Sequence, residues 1–231
     1  MLKKEAIEIT GGLSAPSKMP GPAFNLPAGA CQTGAILAQI EGTPCFDCYA
    51  LKGRYRFPNV KAALNKRLEK LYAPRWVEAI AVLINGRHWQ KPEPVFRWHD
   101  SGDIQSAKHL TNIFEVCKGT PDTRHWLPTQ ERKYLQFLDP GIVPPNLIIR
   151  LSGSKIDGPA PKSWPWTSSV TSDHDLDNCA AFRTNKTGHV HSLKAFNNFT
   201  KERKKELDLG HCGSCRNCWN KDISSVAYRK H

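Results

Sequence analysis

Seven of the eight cysteines in this 231-residue chain fall into two groups, and their spacing points to metal chemistry. In the C-terminal group, two residues separate each neighbouring pair of Cys212, Cys215 and Cys218, in the stretch HCGSCRNCW. A C-x2-C-x2-C run is typical of the start of ferredoxin-type 4Fe–4S sites, which take three thiolates from one tight loop and a fourth from elsewhere. Cys179 is the expected fourth ligand. The alternatives are a four-cysteine zinc site and buried hydrophobic thiols.

The N-terminal group consists of Cys31, Cys45 and Cys48, with 13 residues between the first two and a C-x-x-C pair at the end. Three thiolates without an obvious fourth leave one iron, or one zinc position, open to water, substrate or cofactor, which indicates chemistry rather than scaffolding. Two arrangements remain open: a separate site for each group, or a shared site in which Cys45 and Cys48 join two C-terminal cysteines. Cys117, near the end of a predicted amphipathic helix, is expected in the core.

Four short segments rich in β-branched, aromatic and aliphatic residues are predicted strands, at 95–99, 124–129, 146–152 and 166–172. They finish in the polar stretches HDSGD, PTQE, RLSGS and TSDHD. In parallel α/β folds the active site collects at the C-terminal ends of the strands. We therefore expect His99, Asp100 and Asp103 to transfer protons or position a substrate. Further substrate hydrogen bonds are expected from Thr129, Gln130, Arg150 and Ser152.

Helical patterns surround and alternate with these strands. Apolar residues at helical spacing predict helices at 60–72 after Pro58, at 75–84 before Asn85-Gly86, at 104–119 and at 130–138. Parallel strands require crossover connections, so the predicted fold class is α/β, with parallel βα units forming a partial (β/α) barrel-like core. We expect a single domain, with an N-terminal Cys-rich segment at 1–57, a βα core at 58–175 and a C-terminal Cys-rich segment at 176–231.

Composition and charge indicate the cellular location of the protein and the kinds of partner it could bind. The chain is 39% hydrophobic and 23% charged, and we find no pattern of a secretory signal or a membrane span, so we expect a cytoplasmic protein. In reducing cytosol, clustered cysteines are metal ligands or catalysts more often than disulfides. The net charge of +12 is concentrated in two segments, with 11 Lys+Arg against 5 Asp+Glu in 1–75 and 11 against 4 in 183–231. Such basic segments suit a nucleic-acid partner or offset the charge of metal-bound thiolates.

Several motifs resemble those of a known family. The stretches LPAGACQTGA, CFDCYALKGRY, FRWHDSGDI, WLPTQE and CGSCRNCW resemble, in the same order, the "gene product eighty-eight" type of tailed-bacteriophage proteins. This resemblance implies a protein of the infected host cell and provides no substrate. The C-x-x-C-Tyr-Ala element also resembles the cluster loop of radical S-adenosylmethionine enzymes, which implies a partial barrel with a 4Fe–4S cluster and admits S-adenosylmethionine as a cofactor. Those enzymes usually use C-x3-C-x2-C, and the 13 residues after Cys31 depart from that pattern.

The leading hypothesis is a phage iron–sulfur protein, an enzyme of redox or radical type acting on an unidentified small-molecule or macromolecular substrate. In its full form the N-terminal group holds a cluster with an open iron and the C-terminal group holds a second, closed site. In its narrower form one cluster exists, bound by the C-terminal group. The alternative hypothesis is a zinc-stabilised nucleic-acid-binding protein that uses the basic termini.

Overall fold

The computed structural model describes residues 1–86, 94–172 and 179–230. Its strands are β1 Ala23–Phe24, β2 Val95–Trp98, β3 Arg124–Thr129, β4 Leu147–Ile156, β5 Thr167–Thr171 and β6 Ser225–Arg229. All six form one sheet in chain order, and every neighbouring pair is parallel. Within the described residues β1 and β6 are the two edges and do not pair with each other, so the sheet is open. The α/β class with parallel strands is confirmed, whereas the partial barrel-like core is not confirmed by this open sheet.

Seven α-helices are described: α1 Lys3–Thr10, α2 Gln32–Leu37, α3 Pro58–Glu69, α4 Trp76–Asn85, α5 Ala107–Lys118, α6 Leu193–Asn197 and α7 Lys201–Glu206. The helices predicted from 60–72, 75–84 and 104–119 are confirmed by α3, α4 and α5. None of these helices in the described residues has the length and apolar character needed to cross a bilayer.

The helix predicted at 130–138 is wrong, since only a 3₁₀ turn forms there, at Arg132–Tyr134. The physical reason lies in the first two residues. The Gln130 N–H donates to the Asp103 carboxylate at 2.8 Å, and the buried Glu131 carboxylate accepts hydrogen bonds from α2. The Glu131 backbone has φ −80° and ψ 67°, outside the helical region, so a regular helix cannot run through this residue.

The four predicted strands are confirmed to within a few residues, and β1 and β6 were not predicted. β1 has only two residues and gives no periodic signal, while β6 follows the C-terminal cysteines. The predicted strand end TSDHD lies in part outside the described residues, because 173–178 are not described.

The sheet has a different cover on each face. On the first face, alternating residues such as Phe96, Leu127 and Ile149 pack with Trp76 of α4 and Ile113 of α5 in the largest core cluster. Cys117 of α5 belongs to the same cluster and is fully buried, as predicted. This face therefore holds the conventional helix-on-sheet core of an α/β protein.

On the second face the cover comes from the C-terminal Cys-rich segment. Val95, Trp126 and Ile148 pack against Cys218 and Trp219. The Trp219 indole N–H donates to the Phe96 carbonyl oxygen at 2.9 Å, which fixes this segment across the sheet. Because both faces of the sheet are covered, β4 is buried without alternation from Leu147 to Leu151.

Candidate metal centre and active site

The N-terminal cysteines lie in the connection that follows β1. Cys31 precedes the first residue of α2, and Cys45 and Cys48 lie in the loop between α2 and a 3₁₀ turn at Tyr49–Leu51. A Cβ atom placed on Gly34 would be 3.6 Å from the Cys31 sulfur and 3.7 Å from the Cys45 sulfur. Both sulfurs therefore border one small space, which glycine leaves free and any other residue would fill.

The three thiols and two carboxylates act on one another electrostatically. Burial raises the pKa of the Cys31 thiol, and the charges of Asp103, Cys45, Cys48 and Glu131 raise it further. Burial, followed by the charges of Cys48, Asp103 and Glu131, raises the pKa of Cys45 to about 11. Cys31 and Cys45 therefore hold their protons at neutral pH, and a metal has to displace these protons when it binds.

Asp103 is a buried carboxylate at the end of the HDSGD stretch. It accepts hydrogen bonds from Thr129 Oγ1 at 2.6 Å, from the Gln130 N–H at 2.8 Å and from the Ile104 N–H at 2.7 Å. Burial raises its pKa to about 7 even though these hydrogen bonds oppose the shift. A carboxyl group with a pKa close to neutrality is suited to give or take a proton.

Glu131 positions the first cysteine, and the sequence patterns did not single it out. Its fully buried carboxylate accepts from the Gln32 N–H at 3.0 Å, the Thr33 N–H at 2.8 Å and Thr33 Oγ1 at 2.7 Å. It therefore caps the start of α2, directly after Cys31. In the sequence, Glu131 could have been identified by its position directly after Thr129-Gln130, at the end of a predicted strand.

Asp100 ties the cysteine loop to the end of β2. It forms an ion pair with Arg97 at 2.8 Å and accepts a hydrogen bond from the Tyr55 hydroxyl. The hydroxyl of Tyr49, the residue after Cys48, also donates to Asp100. In this structure Asp100 holds the cysteine loop in place. The spacing of the cysteines did not predict its contacts with the two tyrosines and Arg97.

His99 faces a different environment from its two acidic neighbours. It is buried, its backbone lies in the left-handed region with φ 58°, and neither ring nitrogen has a hydrogen-bond partner in the described residues. Its ring packs edge-on to His109 of α5 at 5.2 Å between centroids. Burial lowers the pKa of His99 well below its usual value, and the charges of His109 and Arg97 lower it further. The ring is therefore neutral and packs towards the helical core.

The four residues expected to contact a substrate have intramolecular partners. Thr129 and Gln130 bind Asp103, and the Gln130 side-chain amide also donates to the Gly153 carbonyl at 2.9 Å. The Ser152 hydroxyl is 3.2 Å from that of Ser168. Arg150 lies on the second face of the sheet, where its guanidinium group binds backbone carbonyls of the C-terminal segment. Their contact with a substrate stays a prediction.

The C-terminal cysteines form a second, separate group. Cys179 and Cys212 pack against the cluster that contains Cys218, whose sulfur is 3.2 Å from the Tyr228 hydroxyl. Burial raises the pKa of Cys218 to about 12, the hydrogen bond to Tyr228 opposes the shift, and the charges of Cys179 and Cys212 add to it. Cys215 lies in the same turn, and its N–H donates to the Cys212 carbonyl at 3.0 Å.

The two groups sit in different surroundings, although both are close to the same arginine. Arg97 pairs with Asp100, and its guanidinium carbon lies 4.4 Å from the centre of the Trp126 ring. Its charge also acts on Cys218, which opposes the rise in the pKa of that thiol.

As the side chains stand, no three His, Cys, Asp or Glu residues in the described residues are arranged to hold a single metal ion. A single zinc ion requires sulfurs about 2.3 Å from one point, whereas a cubane cluster spreads its thiolates over several irons. Three observations therefore support metal binding by these residues: the two sets of cysteine ligands, the space at Gly34, and the electrostatic effect of the thiols on one another.

No curated protein and no solved structure matches this chain. The resemblance to radical S-adenosylmethionine enzymes gains no support from these comparisons, whereas the resemblance to the phage family does. A family model described as Gene product 88 matches residues 2–221. The match spans both cysteine groups and the whole sheet except the last strand, and the chain therefore belongs to the Gene product 88 family.

Proposed function

We propose that this protein is an iron–sulfur enzyme whose reactive centre is a 4Fe–4S cluster held by Cys31, Cys45 and Cys48. The observation that carries the proposal is the convergence of the Cys31 and Cys45 sulfurs on the space at Gly34, next to Asp103 and Glu131. Three thiolates leave one iron of a cubane without a protein ligand. When bound, such a cluster supplies an exchangeable coordination position and one-electron chemistry.

The location supports a catalytic rather than a purely structural role. The cysteine loop follows β1, HDSGD follows β2, and Gln130 and Glu131 follow Thr129, the last residue of β3, so all three stretches lie at the C-terminal ends of neighbouring parallel strands. Ligands of parallel α/β sheets bind at this edge. A partial barrel also requires parallel strands that follow one another in chain order. We therefore propose that the strands of this sheet form part of a (β/α) barrel.

The residues around the cluster loop have separate tasks in this proposal. Glu131 fixes the start of α2 and thereby the position of Cys31. Asp100 holds the loop through Tyr49 and Tyr55. Asp103 stores or accepts a proton at its carboxylate, because its pKa of about 7 allows both forms at neutral pH.

The test is anaerobic purification followed by assays of iron, sulfide and zinc per chain, with Cys45→Ala compared with Cys117→Ala as the matched control. Cys117 is a buried thiol of the helical core outside both groups, so its loss should leave the iron content unchanged. We expect Cys45→Ala to lose iron and sulfide. Iron retained in full by Cys45→Ala would contradict the proposal. Formation of 5′-deoxyadenosine from S-adenosylmethionine and a reductant would establish the radical form.

A second candidate is zinc-supported nucleic-acid binding, which a basic cleft beside the C-terminal cysteines favours. The cleft has a volume of about 470 Å³, and Lys18, Lys186, His211 and Arg216 line it. Phosphate contacts by such residues weaken steeply as salt rises. Stoichiometric zinc without iron, together with DNA or RNA binding that falls steeply with salt, would support this candidate over the iron–sulfur enzyme.

A further inference from the structure

Arg150 is a buried cation that lacks a carboxylate partner in the described residues. Its side chain has no exposed surface, and it takes part in none of the ion pairs found in the described ranges. Removing a full charge from water is costly unless an opposite charge and good hydrogen bonds replace the solvent. The surroundings of Arg150 therefore indicate where a counter-charge belongs.

The hydrogen bonds of Arg150 are all directed at backbone carbonyl oxygens. Its guanidinium group donates to six of them, of which one belongs to Thr167 on the neighbouring strand. The other five belong to the segment that carries Cys218: Asn217, Cys218, Asn220, Ile223 and Ser224. These carbonyls satisfy the N–H groups, but they carry only partial charges, so they do not replace a counter-ion.

The ionisable groups whose charge acts on Arg150 are Tyr228 and Cys218. Cys218 is buried and Tyr228 is partly buried, and the Cys218 sulfur lies 3.2 Å from the Tyr228 hydroxyl. Coordination to a metal deprotonates a thiol outright. A metal bound at Cys218 would thus place negative charge beside Arg150, and also within the field of Arg97.

We infer that Cys179, Cys212, Cys215 and Cys218 hold a second metal centre of four thiolates, separate from the N-terminal centre, whose negative charge is the counter-charge of Arg150. Zinc and a 4Fe–4S cluster share this ligand chemistry, and both carry net negative charge with four thiolates. This inference goes beyond the proposed function and does not require that an N-terminal cluster exists.

The architecture of the segment agrees with a structural role for this centre. The described residues 179–224 contain short helices, 3₁₀ turns such as Ala180–Arg183 and Asn217–Trp219, and an isolated antiparallel bridge between Thr184 and Val190. A metal links the remote Cys179 to the 212–218 loop and adds the free energy of coordination to the few apolar contacts present. Four thiolates also close the site, so that it anchors the segment and leaves no position for a substrate.

The first experiment measures zinc, iron and sulfide per chain in three variants of the full-length protein. Cys212→Ser combined with Cys215→Ser removes two proposed ligands, and Cys31→Ser with Cys45→Ser and Cys48→Ser removes the N-terminal group. Cys117→Ala is the matched control. We expect the double variant to lose the C-terminal share of the metal and the triple variant to retain it. Unchanged metal content in the double variant, or loss of all metal in the triple variant, would overturn the inference.

The second experiment uses the unaltered protein, so it does not depend on the folding of a variant. Cys212 and Cys215 are partly exposed, so iodoacetamide should alkylate them readily if they are free thiols. We expect peptide mass spectrometry to show both protected in the purified protein and alkylated after a chelator has removed the metal. Rapid alkylation before metal removal would refute a tetrathiolate centre. Metal analysis identifies the occupant, and zinc or iron with sulfide would each support the inference.

The two experiments also separate this inference from the proposed function. If the triple variant keeps all of its metal and the double variant loses all of it, the C-terminal centre is established and the N-terminal cluster is contradicted. If the triple variant loses iron and the double variant loses neither iron nor zinc, the proposed function holds and the C-terminal centre is refuted.

Discussion

The two cysteine groups differ in the charges around them. The N-terminal group lies at the C-terminal ends of β1, β2 and β3 among carboxylates, with Asp103 and Glu131 acting on its thiols. The C-terminal group lies on the second face of the sheet beside the cations Arg97 and Arg150. Anionic neighbours make thiolates harder to form and leave a proton carrier at hand, whereas cations stabilise a closed anionic centre. This contrast favours the two proposals made above, a reactive N-terminal centre and an anchoring C-terminal centre.

The largest effect should follow from replacing Arg150, one of the two cations beside the C-terminal group. Arg150→Met removes a guanidinium group that donates to six backbone carbonyl oxygens, five of them in the segment that carries Cys218. We expect a loss of about 3 kcal/mol or more in the free energy of unfolding, measured by urea denaturation. Arg132→Met is the control, because Arg132 is only half-buried and donates to the Ser152 carbonyl. Equal losses in the two variants would mean that Arg150 has no special role.

Filling the space between the N-terminal sulfurs should have the next largest effect. The Cβ of Gly34→Ala would lie 2.9 Å from the Cys31 Cβ and close to both sulfurs. We expect about 1–3 kcal/mol of destabilisation and loss of iron from the N-terminal group alone. Gly29→Ala is the matched control, because nothing lies within 4 Å of a Cβ at that position. Full iron content in Gly34→Ala would argue against a cluster at this space.

Weakening the hydrogen bonds from the start of α2 to Glu131 should have a smaller effect on the N-terminal group. Glu131→Gln replaces three charge-assisted hydrogen bonds from Gln32 and Thr33 with weaker neutral ones. We expect about 1–2 kcal/mol of destabilisation and faster iron loss from the N-terminal group, with the C-terminal metal unchanged. Glu115→Gln, an exposed helical pair with Lys118, is the control and should be close to neutral. Loss of metal from both groups would show that they are not independent.

The last prediction concerns the proton on Asp103 and is a change of slope with pH rather than a single loss of stability. Its pKa is raised from 3.8 to about 7 in the folded chain, so between these values the folded state keeps a proton that the unfolded state has lost. The free energy of unfolding should therefore fall as pH rises through this window, by up to about 1.4 kcal/mol per pH unit. Asp103→Asn should flatten this slope, whereas Asp222→Asn, an exposed control, should not. An unchanged slope in Asp103→Asn would place the proton elsewhere.

The sequence predicted the parts of this structure that depend on local pattern. Alternating or continuous apolar runs located β2 to β5, and helical spacing located α3 to α5, because burial of these faces is encoded residue by residue. The ends of β2 and β3 were expected to share a site, and the structure brings Asp103, Thr129 and Gln130 into direct contact.

The sequence did not predict the contacts between residues that are far apart along the chain. Glu131 capping α2 joins residues nearly 100 positions apart, and Arg150 binds a segment that lies 67 to 74 positions along the chain. Neither contact leaves a periodic signal. The same holds for His99, which directly precedes Asp100 in the sequence but has a left-handed backbone conformation and packs its ring against His109 of α5.

The parallel pairing of β5 with β6 has a consequence for the order of folding. More than 50 residues separate Thr167 from its partner Ser225, and those residues include the whole C-terminal cysteine loop. Contacts of such long range form late, because closing a long loop costs entropy before any contact repays it. During synthesis the apolar surface of Trp126 and Ile148 therefore stays uncovered until the ribosome has released this segment. We expect the nascent chain to be most prone to aggregation, and most dependent on chaperones, in that interval.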